Sequence, residues 1–317
     1  MAAPRYIFAG LDFVFDSLGI PWFIEANGSP HGMRNFEIVS GPVLAPKVAA
    51  YMKSKGANPC IVISRSDRFS EKKETGVWVY RRLKRELPGL RLCYSDANRH
   101  RRKLLVDSEG REFVPGCILR YGEKLSPALE RRCPMINATA IRYITMDKMF
   151  TAEIARRVRG AHVPLSFIVR SRKDAERRIR ENAKAFSDGF VLKPNFESLG
   201  YGIKVFDSGA KVPEIRRPVI LQQRIIPKLR KGRYWDLRIL LFNGKLVGGE
   251  VRVSESAVTN AALGSSVEKA PQDVLSAVSS ASEAIVRAID REAVRISGSP
   301  ELFRNLKRRT PKTVKNK

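Results

Sequence analysis

Apolar runs that alternate with amphipathic stretches are the feature that most constrains how this chain can fold. Residues 58–64, 90–95 and 116–122 have the length and apolar content of buried strands, and helical patterns at 46–54 and 77–86 precede the first two. Strands separated by helices favour a sheet whose faces are covered by those helices. The pattern therefore predicts an α/β protein that begins with a small doubly wound unit.

The second half of the chain continues this alternation. Strands are predicted at 164–171, 188–195 and 218–226, and helices at 172–186 and 270–289. Residues 236–254 predict a β-hairpin, because Asn243-Gly244 stands near their middle and Asn-Gly favours the two-residue turn of such hairpins.

Basic residues outnumber acidic ones, with 59 Lys and Arg against 32 Asp and Glu and a formal net charge of +27. Such an excess produces a positive field that attracts polyanions. Basic runs occur at 99–103, 170–180, 224–233 and 304–317. Each run also suits a solvated surface, so the charge leaves several partners open: an acidic peptide, an acidic carrier protein or a nucleic acid.

The sequence lacks the marks of membrane and secreted proteins. No apolar run approaches the length of a membrane span, and the first residues do not have the pattern of a secretory signal. We therefore expect a cytoplasmic protein. The cysteines lie far apart, without the spacing of a zinc site, and are expected to be buried: Cys60, Cys93, Cys117 and Cys133.

A lysine followed by a glycine-containing loop forms the first candidate site. Lys193 ends a predicted strand, and Ser198, Gly200 and Gly202 follow it. Glycine lets backbone N–H groups approach phosphate oxygens, and lysine brings a positive charge to them. The same pattern also occurs in ordinary hairpin turns, so this motif alone leaves both interpretations open.

Charged residues on the predicted hairpin form the second candidate. Asp236 and Arg238 are two residues apart and share one face of a strand, while Arg252 lies on the partner strand. The three side chains either converge on one patch or form a surface salt bridge that contributes little. The small-residue loop that follows contains Asn260, which suits a substrate loop or an ordinary solvent loop.

Oxygen ligands near the start of the chain form the third candidate. Residues 10–27 predict a hairpin in which Asp12 and Glu25 lie on neighbouring strands, and Glu25 and Asn27 share a face. Three oxygen donors in this arrangement suit Mg²⁺, with Mn²⁺ as an alternative. Glu-x-Asn on its own is also common at structural strand ends.

Taken together and in order, these motifs resemble the ATP-grasp superfamily, which includes glutathione synthetase, D-alanine:D-alanine ligase and enzymes that add glutamate to protein tails. "MINATAIRYITMDKMFTAEIARR" resembles the segment that opens the nucleotide-binding lobe and contains Lys148, and "GFVLKP" contains Lys193. "SLGYG" resembles the loop that covers the phosphates, and "ILQQRI" resembles the hinge that contacts adenine. "DLR", Arg252 and "NAALG" follow in the order of the family.

The resemblance implies a role for each of these residues. ATP would be bound by Lys148, Lys193, Ser198, Gly200, Gly202, Gln222, Gln223 and Ile225. Catalysis would involve Arg252, Arg238, Asp236 and Asn260, with Asp236 orienting Arg238 or the metal. Magnesium would be held by Asp12, Glu25 and Asn27.

The metal hairpin of the family normally follows the last helix, whereas here it stands at residues 10–30. The resemblance therefore implies a circularly permuted ATP-grasp fold, with two α+β lobes clasping ATP and a small Rossmann-like domain beside them. The expected divisions are a closing hairpin at 1–33, the Rossmann-like domain at 34–140, a lid lobe at 141–217, the rest of the second lobe at 218–292 and a basic disordered tail at 293–317.

The activity implied by the resemblance is ATP-dependent ligation of a carboxylate to an amine through an acylphosphate, on an acidic substrate. Two other functions remain open at this point: a small-molecule kinase that uses the same machinery, and a basic nucleic-acid-binding protein with a regulatory nucleotide site. No base-stacking aromatic cluster or recognised RNA-binding motif in the sequence supports the last of these.

Overall fold

The alternating pattern is realised as strands and helices in the computed structural model, which describes residues 6–67, 69–70, 74–98, 100–121, 125–197, 202–259 and 264–309. The strands are β1 (Phe8–Phe15), β2 (Pro21–Asn27), β3 (Pro59–Ile63), β4 (Arg91–Tyr94), β5 (Leu105–Val106), β6 (Glu112–Phe113), β7 (Cys117–Arg120), β8 (Met135–Ile136), β9 (Ser166–Val169), β10 (Phe190–Lys193), β11 (Lys204–Phe206), β12 (Val219–Gln223), β13 (Tyr234–Phe242), β14 (Lys245–Ser254) and β15 (Ser266–Lys269). The helices are α1 (Met33–Ser40), α2 (Leu44–Ser54), α3 (Gly76–Glu86), α4 (Ser95–Asn98), α5 (Pro127–Glu130), α6 (Thr139–Met146), α7 (Lys148–Arg156), α8 (Arg172–Glu181), α9 (Gln272–Ser297) and α10 (Pro300–Arg309).

A parallel sheet in the order β4-β3-β7-β8 forms the α/β unit that the sequence predicts. Alternate residues of β3 enter two apolar clusters, because successive side chains of a strand point to opposite faces. Ile61 and Ile63 pack with residues of α1, α2 and α3, whereas Cys60 and Val62 pack with residues of β6 and α5. All four cysteines are buried around this sheet, as expected.

An antiparallel sheet in the order β15-β14-β13-β1-β2 carries most of the predicted site. β13 and β14 form the predicted hairpin, and Asn243 (φ 50°) and Gly244 (φ 76°) adopt the left-handed conformations that its two-residue turn requires. β1 pairs with β13 on one side and with β2 on the other. The hairpin predicted at the start of the chain therefore lies beside the hairpin predicted near its end.

The two faces of this five-stranded sheet differ in chemistry. Leu11 and Leu237 point to one face, where α6, α7 and α9 pack against the sheet to form the largest apolar core. Asp12, Arg238 and Arg252 share the opposite face, which α1 covers in part. The period-two alternation of the strands thus separates the core from the charged residues.

A second antiparallel sheet, in the order β11-β10-β12-β9, packs against α8 through its own apolar cluster. β12 belongs to this sheet, so the boundary expected at 217/218 falls too early, and we place it after Gln223. α6 and α7 also differ from their expected place in the lid lobe, because Ile141 and Ile154 join the core of the five-stranded sheet. Local patterns predict that a segment is a strand or helix but do not say which sheet it joins.

The expectation of a disordered tail from residue 293 is wrong as far as residue 309. α9 continues to Ser297, and α10 follows over Pro300–Arg309. Leu306 is buried, and the ring of Phe303 packs edge-on against Tyr143 of α6 with centroids 5.8 Å apart. Apolar residues one helical turn apart dock this basic helix, which the charge of the segment alone does not predict.

α8 ends at Glu181, earlier than the predicted helix at 172–186. Within the described residues, none of the helices combines the length and apolar content needed to cross a membrane.

Candidate functional site

A cleft of about 700 Å³ lies between the five-stranded sheet and the four-stranded antiparallel sheet. We call it the inter-sheet cleft. It brings together ten residues singled out from the sequence: Asp12, Glu25, Asn27, Lys193, Gln222, Gln223, Ile225, Asp236, Arg238 and Arg252.

Lys148 is held at the start of α7 by a network that reaches across to the end of β10. The Asp147 side chain caps α7 by accepting a hydrogen bond from the N–H of Phe150 at 3.0 Å. Asn195 Nδ2 donates to Asp147 at 2.9 Å, and Asn195 Oδ1 accepts from the N–H of Met149 at 2.9 Å. Lys148 Nζ donates a hydrogen bond to the carbonyl of Glu197 and lies 3.5 Å from Glu25 Oε1 of β2. The side chains of Asp147 and Asn195 therefore fix the start of α7, which places Lys148 beside the predicted metal hairpin.

Lys193, the last residue of β10, is buried beside the same carboxylate. Burial lowers its pKa to about 8, Glu25 opposes that change, and the nearby charge of Lys148 adds to it. Lys148 and Lys193 thus both lie close to Glu25, although the three residues come from three different elements. Both lysines expected to bind phosphate are brought together.

Two buried arginines bind two buried aspartates in the cleft. Arg238 Nε and Nη2 donate to the two oxygens of Asp12 at 2.7 Å each, and Arg252 Nε and Nη2 donate to those of Asp236 at 2.6 Å each. Arg252 Nη2 also lies 3.1 Å from Asp12 Oδ2, which joins the pairs into one network. Burial alone would raise the pKa of Asp12, but Arg238 and Arg252 outweigh it and lower that pKa to about 2.

Asp236 pairs with Arg252 in the structure, whereas the resemblance implies that it orients Arg238 or the metal. Asp236 lies opposite Arg252 across β13 and β14, and Asp12 lies opposite Arg238 across β1 and β13. Directly opposed side chains approach more closely than neighbours two residues apart on one strand. The hydroxyl of Thr259 also donates to Asp236, so this carboxylate is fully engaged.

The donors expected for magnesium are only partly available. Glu25 and Asn27 line the cleft, and the buried amide nitrogen of Asn27 has no hydrogen-bond partner among the described residues. The two ends of an amide interchange by rotation, so this position can also present oxygen to a cation. Asp12 is held by two guanidinium groups, and the described part of the chain contains no cluster of three His, Cys, Asp or Glu side chains suited to a metal. Glu25 and Asn27 fit a hard cation, whereas Asp12 fits only after its arginines release it.

The residues expected beside adenine line the cleft, with Gln222 and Gln223 at the end of β12, an inner strand of the four-stranded antiparallel sheet. The N–H of Gln223 donates to the carbonyl of Leu165 at 2.8 Å, and the N–H of Leu165 donates to Gln223 Oε1 at 3.2 Å. Gln222 Nε2 donates to Ser166 Oγ at 3.1 Å. These contacts fix both glutamines, and Ile225 follows them along the wall of the cleft.

Three of the expected residues, Ser198, Gly200 and Asn260, lie outside the described residues. Gly202 has φ 75°, and a Cβ atom there would lie 2.9 Å from Pro194 Cγ. Its conformation and its close contact both require glycine.

Glu250 is a site residue that pattern analysis missed. It lies opposite Arg238 across β13 and β14, and its carboxylate is buried without a hydrogen-bond partner among the described residues. Burial, opposed by Arg238 and Arg252, raises its pKa to about 7. Its position two residues before Arg252, on the same strand face, is the signal that could have found it.

The α/β unit also contributes side chains to the cleft, and no short sequence motif predicts these contacts. His31 Nδ1 lies 3.1 Å from the hydroxyl of Tyr121. Glu74 accepts hydrogen bonds from that hydroxyl at 3.2 Å and from the N–H of Arg34 at 2.6 Å. Burial raises the pKa of Tyr121, so the phenol remains protonated. The cleft therefore carries a hydrogen-bonding wall beside the arginine network.

Known proteins are similar to part of this chain. No protein-family model matches the chain. Two curated proteins, both coenzyme gamma-F420-2:alpha-L-glutamate ligases, are similar to part of it. The protein from Methanococcus maripaludis is 27% identical over 137 residues, covering 42% of this chain and 47% of the relative. The protein from Methanocaldococcus jannaschii is 27% identical over 154 residues, covering 47% of this chain and 52% of the relative.

The chain thus spans about half the length of the curated relatives it matches. Among solved structures, a protein assigned as a gamma-glutamylcysteine synthetase from Methylobacillus flagellatus KT aligns over 96% of this chain and 91% of its own, with a TM-score of 0.47 and 12% identity. The resemblance to the ATP-grasp superfamily is confirmed by the ligase relatives. The chain has a mixed α/β fold, and part of it is similar to two proteins named as glutamate ligases.

Proposed function

We propose that this protein is an ATP-dependent ligase that joins the carboxyl group of one substrate to the amine of another. The observation that carries the proposal is the convergence of Lys148 and Lys193 on Glu25, which lines the inter-sheet cleft together with Lys193. Two lysines from different elements concentrate positive charge at one point, which suits the phosphates of a nucleotide. The carboxylate beside them suits the divalent cation that accompanies those phosphates.

ATP would lie in the cleft with its adenine beside Gln222, Gln223 and Ile225. The hydrogen bonds that hold both glutamines to β9 and the residue before it support this placement. The loop that contains Ser198, Gly200 and Gly202 would close over the phosphates, a role that rests on the resemblance of "SLGYG" to the family loop.

The proposed reaction has two steps. An oxygen of the substrate carboxylate attacks the γ-phosphorus of ATP, the bond to the bridging oxygen breaks, and ADP leaves with that electron pair. The amine nitrogen of the second substrate then attacks the acyl carbon, the carbon–oxygen bond to phosphate breaks, and the amine proton passes to phosphate or water. Lys148, Lys193 and Arg252 would stabilise the charge on the transferring phosphoryl group.

A bound Mg²⁺, or Mn²⁺ in its place, would neutralise part of the phosphate charge. Glu25 and Asn27 would hold it. Asp12 would join them once Arg238 turns to another partner, and Glu250, which lies opposite Arg238 and has no hydrogen-bond partner among the described residues, would accept that guanidinium. Asn260 would contact the substrate or the metal.

L-Glutamate is the amine substrate we propose, because both curated relatives are glutamate ligases by name. The net charge of +27 supports an acidic carboxylate substrate, either a small molecule or a peptide.

We also propose that the ATP-grasp lobe is circularly permuted, with residues 1–33 contributing the hairpin that completes its sheet. The pairing of β1 with β13, with Asp12 opposite Arg238, supports this arrangement. The α/β unit within 34–140 would then be the accessory Rossmann-like domain.

The proposal is tested by incubating the purified protein with Mg-ATP, L-glutamate and a panel of carboxylates. ADP release and the masses of the acceptors would be measured. A ligase requires both substrates for sustained ADP release over many turnovers and yields a product in which an amide joins them. A phosphorylated product without an amide would identify a kinase, and no ADP release with any substrate combination would contradict the proposal.

Lys193→Met should abolish turnover, because it removes one of the two charges that face the phosphates. Lys245→Met is the matched control, since Lys245 is 79% exposed on β14 and does not line the cleft. Equal turnover in the two variants would contradict the role of Lys193.

A further inference from the structure

A second groove, of about 470 Å³, lies between the C-terminal end of α7 and the middle of α9. We call it the α7–α9 groove. Apolar side chains form its floor: Ile154, Val158, Ala284 and Ala288. Five exposed arginines surround that floor: Arg157, Arg159, Arg287, Arg291 and Arg295. None of these residues lines the inter-sheet cleft, so the groove is a separate site.

Most of the positive charge in this groove is not neutralised by the protein itself. Arg287 and Arg295 each pair with a glutamate of α9, but Arg157, Arg159 and Arg291 make no ion pair with any described residue. The basic residues of α8 show the opposite behaviour, because several of them pair with carboxylates about one turn away on the same helix. The groove therefore presents unpaired guanidinium groups to an external anion.

The spacing of the arginines suits a chain of anions rather than a single one. Arg287, Arg291 and Arg295 follow at four-residue intervals on one side of α9, which corresponds to about 6 Å between neighbours. In an extended peptide, residues two apart lie roughly 6.6 Å apart on the same side. Acidic residues at alternate positions of such a peptide would meet Arg291 directly, and Arg287 and Arg295 by exchange with their glutamates on α9, and form charge-assisted hydrogen bonds.

The aliphatic floor of the α7–α9 groove favours a peptide over a single-stranded nucleic acid. Single-stranded nucleic acids bind through aromatic side chains on which the bases stack, and no aromatic residue lines the described part of this groove. An aliphatic floor instead suits apolar side chains placed between the acidic ones. We propose that the α7–α9 groove binds an acidic peptide segment that carries apolar residues and belongs to a partner protein.

Fluorescence anisotropy with a labelled peptide of alternating Glu and Leu tests this proposal on the full chain. Replacing Arg157, Arg159 and Arg291 together with Gln should weaken binding by at least about tenfold, the loss expected for a few charge-assisted contacts. The matched control is the triple variant Lys47→Gln, Lys53→Gln and Arg85→Gln, which removes the same charge from exposed positions of α2 and α3. That control should retain nearly the affinity of the unaltered protein.

Two further probes test the chemistry of the ligand. A peptide of alternating Glu and Ser should bind more weakly than the Glu-Leu peptide, because it cannot use the apolar floor. An oligouridine of equal length should bind weakly and lose no more affinity in the groove variant than in the control. Equal losses in the two triple variants, or tight oligouridine binding that depends on the groove arginines, would overturn the proposal. Turnover of Mg-ATP is measured separately, so failure of the ligase proposal would leave this result intact.

Discussion

Arg238 holds Asp12 through two parallel hydrogen bonds of 2.7 Å, although the two residues lie 226 positions apart in the chain. Both side chains are largely buried, with 16% and 5% of their surfaces exposed. β1 pairs with β2, which follows it in the chain, and with β13, which is more than 200 residues away. This ion pair therefore attaches the first hairpin to β13, and it also lines the cleft.

Arg238→Leu should therefore lower the free energy of unfolding by about 3–5 kcal/mol, since it leaves a buried carboxylate with only its longer contact to Arg252. Urea unfolding measures the change. Arg177→Leu on the exposed face of α8 is the control and should leave stability nearly unchanged. Similar stabilities for both variants would contradict a structural role for the pair.

Affinity for ATP should fall as the pH rises above about 8. Burial lowers the pKa of Lys193 to about 8, so the unliganded lysine loses its charge there, while bound phosphates favour the charged form and raise its pKa. Calorimetric titration of ATP at several pH values would show the decline. Lys193→Arg should flatten it, because arginine keeps its charge. The same slope in the arginine variant would assign the decline to another group.

Glu250→Gln should remove a pH-dependent loss of stability. The pKa of Glu250 is about 7 in the folded protein against 4.5 for the free residue, so the folded state binds the extra proton in this interval. Stability therefore falls as the pH rises from about 4.5 to about 7, by roughly 3 kcal/mol in total, and levels off above it.

Unfolding free energies of Glu250→Gln and the unaltered protein across this pH range provide the measurement. The variant should be the more stable of the two above pH 7 if the carboxylate remains without partners. A difference that does not change with pH would show that Glu250 titrates normally.

Asn137 connects β1 to the turn after β2. Its Oδ1 accepts from the N–H groups of Ile7 and Phe8 at 2.8 Å each, and its Nδ2 donates to the carbonyls of Phe8 at 2.6 Å and Gly28 at 3.0 Å. Asn137→Ala would leave these buried main-chain groups unpaired and should cost about 4 kcal/mol or more. A loss below about 1 kcal/mol in urea unfolding would show that water replaces the side chain.

Local patterns predicted most elements because strand alternation, helical periodicity and the Asn243-Gly244 turn are encoded over short stretches. They also placed Asp236 and Arg238 on one face, since period two determines which side chains share a face. Which charged side chains pair with each other was harder to predict. Whether Asp236 meets Arg238 or Arg252 depends on register between strands, and register is set by the whole sheet.

Contacts between segments that lie far apart in the chain could not be predicted from short motifs. Glu74 lines the cleft from the α/β unit, where it accepts a hydrogen bond from Tyr121 of a separate segment. The basic run at 304–317 suggested disorder, but Leu306 and Phe303 find a partner surface on α6 and α9 that no local pattern describes. The arginines of the α7–α9 groove escaped notice for the same reason, because they come from helices far apart in the chain.

The central position of β1 in its sheet has a consequence for biosynthesis. At about 5–20 residues per second, a ribosome needs roughly 10 to 45 seconds to add the 226 residues that separate Asp12 from Arg238. Until then the nascent β1–β2 hairpin would expose an apolar face and an unpaired edge, even though the parallel sheet of the α/β unit can form once β8 has been made. These two strands thus wait for a partner strand that is made much later, and this waiting period is when a chaperone or an aggregation partner would meet the chain.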